Sequence, residues 1–238
     1  MNDNPRKILV IGTGRSGTNH FARVCNGLGM EVGHEEMKPD GISSWCLVSD
    51  LSWSPYGPAR SELDLSEFAT GHQLRHPVKT IPSLMTMNKS SWRFISEDAS
   101  GRVPASWWRR APFRAKAMWH WLDWNQRAEQ MADMHWTLKS ASGMGPTLAA
   151  QLNRPALESA WADGWAASDR PTNDANSRIS GWNRLWTTSP PVAVRRWLHA
   201  KGRIAATEEA LHKADAALAK DVLQYWETFD SKWGSGAE

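Results

Sequence analysis

Several things are scarce in this chain. Cysteine occurs twice in 238 residues, at Cys25 and Cys46. That is too few for a disulfide framework, and the spacing fits no metal-ligand pattern. Two plain thiols in a reducing compartment follow. Long apolar runs are missing as well. The N-terminal stretch Lys7–Ile11 is too short for a membrane span or a signal-peptide core, and Met1–Pro5 has no signal-peptide shape. These absences predict a cytoplasmic protein that is not a membrane partner. Charge of one sign is scarce too: 28 Lys and Arg face 25 Asp and Glu, a net +3. The small positive excess suits an anionic ligand. No basic run or nucleic-acid motif accompanies it, so nucleic acid is not an expected partner. Tryptophan, by contrast, is abundant, at sixteen residues. Packing in a core or interface is the main use expected of so many indoles, and stacking on sugar rings is the other.

The apolar run Lys7–Ile11 has the continuous pattern of a strand buried on both faces of a parallel sheet. Thr18–Leu28 fits a helix closed by Gly29. Met30–Gly33 and Gly71–Arg75 read as further strands, and His135–Leu138 as a last one. Val78–Met87 fits a helix with Pro82 in its first turn or at a kink. Arg114–Met134 is helical, with Ala117, Trp121, Trp124, Ala128 and Met131 on one face. Asp40–Pro58 is mixed, Ser100–Pro112 reads as a linker or lid, Ser140–Pro146 as a loop and Arg154–Pro191 as irregular. Thr207 is the expected N-cap of a C-terminal helix at about 207–230, whose stripe is Leu211, Ala214, Leu218, Val222, Tyr225 and Phe229. Strands alternating with helices predict a single α/β domain over residues 1–238, three-layered, with a central, mostly parallel sheet flanked by helices.

Between the first strand and helix lies Gly12-Thr13-Gly14-Arg15-Ser16-Gly17-Thr18-Asn19. Glycines let a backbone approach an anion, and the N–H groups at a helix start point toward it. Three ligands compete for this loop. GxGxxG, with acidic residues after the second strand, is the fingerprint of NAD(P)-dependent Rossmann oxidoreductases, although Arg-Ser-Gly-Thr-Asn is polar where such a helix is usually apolar. GxxxxGK[ST] nearly fits, but Thr18 stands where the lysine should be, which disfavours an ordinary NTPase. The third ligand follows from a family likeness.

Gly12–Thr18 resembles the 5′-phosphosulfate loop of sulfotransferases that use 3′-phosphoadenosine 5′-phosphosulfate (PAPS). The likeness runs on through Val32-Gly33-His34-Glu35, Asp40-Gly41-Ile42-Ser43-Ser44-Trp45 and Arg75-His76-Pro77, with Ser83 eight positions after Arg75. It is looser at Trp121-Leu122-Asp123-Trp124-Asn125. Asn19 departs from the family's usual second threonine. The resemblance implies a P-loop-like nucleotide-binding core. It implies PAPS as cosubstrate, adenosine 3′,5′-bisphosphate (PAP) as product and no metal. Thr13, Gly14, Arg15, Ser16, Gly17, Thr18 and Asn19 would hold the 5′ side, and Arg75 with Ser83 the 3′-phosphate.

Transfer of a sulfuryl group to a hydroxyl, such as one on a carbohydrate, needs a cation for the departing phosphate oxygen and a base for the acceptor proton. Arg15 suits the first role. Glu35 is the expected base, as in family members with arginine in this loop, with Glu36 and His34 as alternates. His72 and His76 stand in HxxxH spacing, but on a strand and turn that spacing does not bring them together as metal ligands. A small molecule or glycan is the expected acceptor. A nucleotide-binding protein without catalysis remains the non-enzymatic alternative.

Overall fold

The structure is a computed structural model that describes residues 5–168 and 207–234. Among these residues the chain gathers into two compact units. The first holds residues 5–75, 124–168 and 227–234, and the second holds residues 76–123 and 207–226.

The first unit is built on five strands: β1 (Lys7–Ile11), β2 (Val32–His34), β3 (Gly41–Ser43), β4 (Phe68–Leu74) and β5 (Met134–Thr137). They form one sheet in the order β2-β3-β1-β4-β5, and every pairing is parallel. β1 is central because its side chains are apolar on both faces, and Ile8 through Ile11 are fully buried. One face carries Ile8, Val10, Ala69, Met134 and Trp136. Against it pack α1 (Thr18–Gly27), α6 (Gly145–Leu152) and α7 (Leu157–Ala167), through Phe21, Leu148 and Trp161 among others. Residues 124–131 of α5 (Phe113–Met131) and 227–233 of the last helix, Ala216–Trp233, serve the opposite face. There His72 bonds Asn125 at 3.1 Å and meets the Phe229 ring at 5.0 Å. Helices on both faces make the unit a three-layer α/β structure, as expected.

The second unit is helical. It contains α2 (Pro77–Leu84), α3 (Lys89–Ala99), α4 (Ala105–Arg110), the first part of α5, α8 (Glu208–Ala214) and most of α9 (Ala216–Trp233). Aromatic contacts join these helices: Trp92 with Phe113 at 4.5 Å, Trp108 with Trp119 at 5.4 Å and Trp121 with Tyr225 at 5.9 Å.

Five expectations change. β3 lies in the stretch Asp40–Pro58 read as mixed, because three residues carry no periodicity and only pairing makes them a strand. The expected lid Ser100–Pro112 contains α4, started by Pro104. The end of the expected loop Ser140–Pro146 opens α6, and the irregular stretch from Arg154 contains α7; the rest of that stretch, from residue 169, lies outside the described residues. Pro82 is not among these: of its two expected placements it takes the one inside α2, past the first turn, where its missing N–H removes one helical bond. The C-terminal helix begins at the Thr207 cap, whose hydroxyl accepts from the Ala210 N–H, but breaks at Asp215 into α8 and α9.

Candidate functional site

In a parallel sheet all strands end on one rim. β1 ends at the Gly12–Thr18 loop, β2 at Glu35, β3 at Ser44-Trp45 and β4 at Arg75. The chain leaves β1 toward β2 and β3 on one side, whereas β5 lies beyond β4 on the other. The strand order therefore reverses between β1 and β4, the place where open α/β sheets bind ligands.

The loop has a defined shape. Gly17, the N-cap of α1, has φ 109°, and a Cβ there would stand 2.6 Å from the Gln73 amide nitrogen, so only glycine fits. That nitrogen donates to the Ser16 carbonyl at 2.9 Å, and the Trp136 indole donates to the other end of the Gln73 amide at 3.1 Å. The Ser16 N–H is committed to the Thr13 carbonyl. The first bond within α1 runs from the Phe21 N–H to the Gly17 carbonyl. The N–H groups of Thr18, Asn19 and His20 thus precede it, as at any helix start, and no acidic side chain occupies the first turn.

The side chains of Thr13 and Ser16 are fully buried and their hydroxyls have no hydrogen-bond partner. Gly14 and Thr18 are also buried, Arg15 and Gly17 half-buried and Asn19 exposed. Thr18 lies 3.4 Å by its Oγ1 from His34 Nε2, and its carbonyl accepts from Ser43 Oγ at 3.0 Å. The ends of β2 and β3 are thereby tied to the start of α1.

Arg75 donates from Nη1 to the Arg15 carbonyl at 3.2 Å. The two arginines named from the sequence are thus joined on the same rim. Burial lowers the pKa of Arg75. Ser83, the expected partner of Arg75, is buried on α2 in the second unit.

Glu35 and Glu36 part company. Glu36 is exposed and pairs with Lys38 at 3.2 Å. Glu35 is half-buried, its N–H donates to the Ser43 carbonyl, and its Oε1 accepts from the Trp45 indole at 3.0 Å. Burial raises the Glu35 pKa, opposed by the Trp45 hydrogen bond and by the Arg15 charge. His34 is pushed down to about 4, by burial first and then by Arg15. It is neutral near pH 7.

The backbone adds a second signal. Only three non-glycine residues among those described have positive φ: Arg15 at 71°, Glu35 at 62° and Asn153 at 52°. Asn153 ends α6, an ordinary place for that conformation. The other two are the cation and the base named from the sequence. Left-handed backbone at such residues is costly, and it concentrates at functional sites.

Gln73 and Trp136 were not among the sequence candidates. Their only sequence mark is a glutamine in an otherwise buried strand. Trp45 is 3% exposed and belongs to the interior. Trp121, Trp124, Trp136 and Trp161 are wholly buried, and among the described residues no tryptophan is exposed. Among those residues, too, no cluster of His, Cys, Asp and Glu could hold a metal ion, and no helix is long and apolar enough to cross a membrane. Comparison with protein-family models, curated proteins and solved structures finds no match for this chain.

Proposed function

We propose that the chain is a PAPS-dependent sulfotransferase, with a P-loop-like core, that sulfates a hydroxyl of a small molecule or glycan in the cytoplasm. The observation that supports this most is the pairing of strain with chemistry. Among the described residues, the only left-handed non-glycine residues outside a helix end are Arg15, in the loop after β1, and Glu35, directly after β2. The Arg75 guanidinium bonded to the Arg15 carbonyl supports a cradle with a cation toward each end. The sheet order, with its reversal beside β1, supports the P-loop-like core. The loop suits an anion through its helix start and arginine rather than through the Thr13 and Ser16 hydroxyls, which are buried. Two buried free thiols agree with a reducing compartment.

In this mechanism Glu35 accepts the acceptor's hydroxyl proton as the new O–S bond forms. The S–O bond to the 5′-phosphate breaks, and PAP leaves with the bonding pair. Arg15 stabilises the charge gathering on the departing phosphate oxygen, at a site where burial strengthens the interaction. His34, held neutral, keeps the start of α1 in place through Thr18. Arg75 holds the 3′-phosphate.

The test separates binding from transfer. Wild type binds PAP in calorimetric titration, and Glu35→Gln retains that affinity while PAPS turnover falls by roughly 10²–10⁴. Binding of NADH without PAP, or unchanged transfer in Glu35→Gln, overturns the assignment.

A further inference from the structure

We infer that Trp45 is a positioning residue for Glu35: its indole N–H holds Oε1, fixes the carboxylate rotamer and leaves Oε2 as the oxygen that takes the proton. The role of Glu35 rests on the sulfuryl-transfer proposal above, while the contact itself stands on geometry. The bond is 3.0 Å. The donor cannot drift, because Trp45 is 3% exposed and held from several sides. The Trp124 indole donates to the Trp45 carbonyl at 2.7 Å, and the two rings lie 5.8 Å apart. Tyr56 sits 6.4 Å from the Trp45 ring, in a turn closed by Ser54 Oγ donating to the Tyr56 carbonyl at 2.6 Å.

The same turn supports the Glu35 backbone. Gly57, at φ 68°, lies so close that a Cβ would stand 2.2 Å from the Glu35 carbonyl oxygen. One short segment thus braces the left-handed Glu35 backbone and the indole that grips its carboxylate. A base held in this way needs no reorientation before it accepts a proton.

The electrostatic consequence has a definite sign. An N–H donated to a carboxylate favours its charged form and opposes the upward push of burial. Arg15 and the Cys46 thiol interact electrostatically with the carboxylate, and His34 precedes Glu35 in the chain. Arg15 also favours the charge, and His34 is neutral. The thiol stays protonated because burial pushes it up to about 12. Removing the indole N–H therefore raises the Glu35 pKa.

Two measurements test this. In ¹⁵N-labelled wild type, the Trp45 indole resonance follows Glu35 ionisation as pH is varied, and the response disappears in Glu35→Gln. A resonance that stays flat, or that titrates unchanged in Glu35→Gln, overturns the inference, whether or not any variant is active. In Trp45→Phe, PAP affinity is retained and the acidic limb of kcat/KM for PAPS turnover moves up by about one pH unit. An unmoved limb also overturns it. If wild type neither binds PAP nor turns over PAPS, the sulfotransferase proposal fails instead, and the indole titration alone decides whether Trp45 holds Glu35. That titration also decides the case if Trp45→Phe does not fold.

Discussion

Two residues keep a backbone conformation that ordinary side chains avoid. Arg15 and Glu35 sit in left-handed geometry where glycine would rest more easily. For Arg15 this makes opposite predictions for stability and function. Arg15→Gly relieves the left-handed backbone at the cost of glycine's greater chain entropy, so the folded state gains about 1 kcal/mol. Under the proposed function, PAPS turnover in the same variant falls by roughly 10²–10³, the scale of losing one preorganised donor to a developing oxyanion. Calorimetric melting beside a turnover assay checks both. A lower melting temperature would show that the backbone at Arg15 is not strained.

At the scale of elements, the loop keeps its shape because β4 and β5 hold it from below. Trp136 on β5 donates to Gln73 on β4, and Gln73 donates to the Ser16 carbonyl. Gln73→Leu keeps the volume and removes both bonds, leaving a buried indole donor and a buried carbonyl unpaired. A stability loss of about 2–4 kcal/mol is expected in urea unfolding, together with weaker PAP binding as the loop relaxes. Retained affinity in a destabilised variant would mean that the loop holds itself. The strand that carries Gln73 is also where the expected boundary moved. The sequence suggests Gly71–Arg75, but pairing of Lys7 with Phe68 extends β4 back by three residues.

For the whole molecule, buried histidines set the response to acid. His34 is pushed down to about 4, and His72 and His120 to about 3, each chiefly by burial, from an ordinary value of 6.5. As pH falls below about 6.5, the unfolded chain takes up these protons while the folded chain does not. The unfolded state then binds more protons, so stability drops with falling pH through the window from about 6.5 to about 4. Each such histidine contributes a slope of up to about 1.4 kcal/mol per pH unit. Glu35 and Asp123, the latter raised to about 6, work the other way, since a raised pKa lets the folded state bind a proton first, but they are two groups against five, because burial also lowers His20 and His135. Urea midpoints measured from pH 7 to 4 should therefore decline. A flat profile would show that these histidines are protonated in the folded protein.

What the residues settled unaided is the local part. A five-residue apolar run, a glycine turn and a following helix dictate β1, the loop and α1, because each depends on neighbours within a few positions. The loop with Arg15, the Glu35-Glu36 pair and Arg75 could be marked in the same way, each following a recognisable strand, whereas the choice of Glu35 as the base came from the family resemblance. β3 was beyond reach, since three residues carry no period and need β1 and β2 on either side. So were the Gln73 brace, which reaches Ser16 across 57 positions, and the Trp45 indole, which reaches Glu35 across ten. Hydrogen bonds between distant residues leave no trace in local patterning. They exist only once a parallel sheet has brought its strand ends to a common rim, and that sheet is held by burial on both faces rather than by any short stretch of sequence.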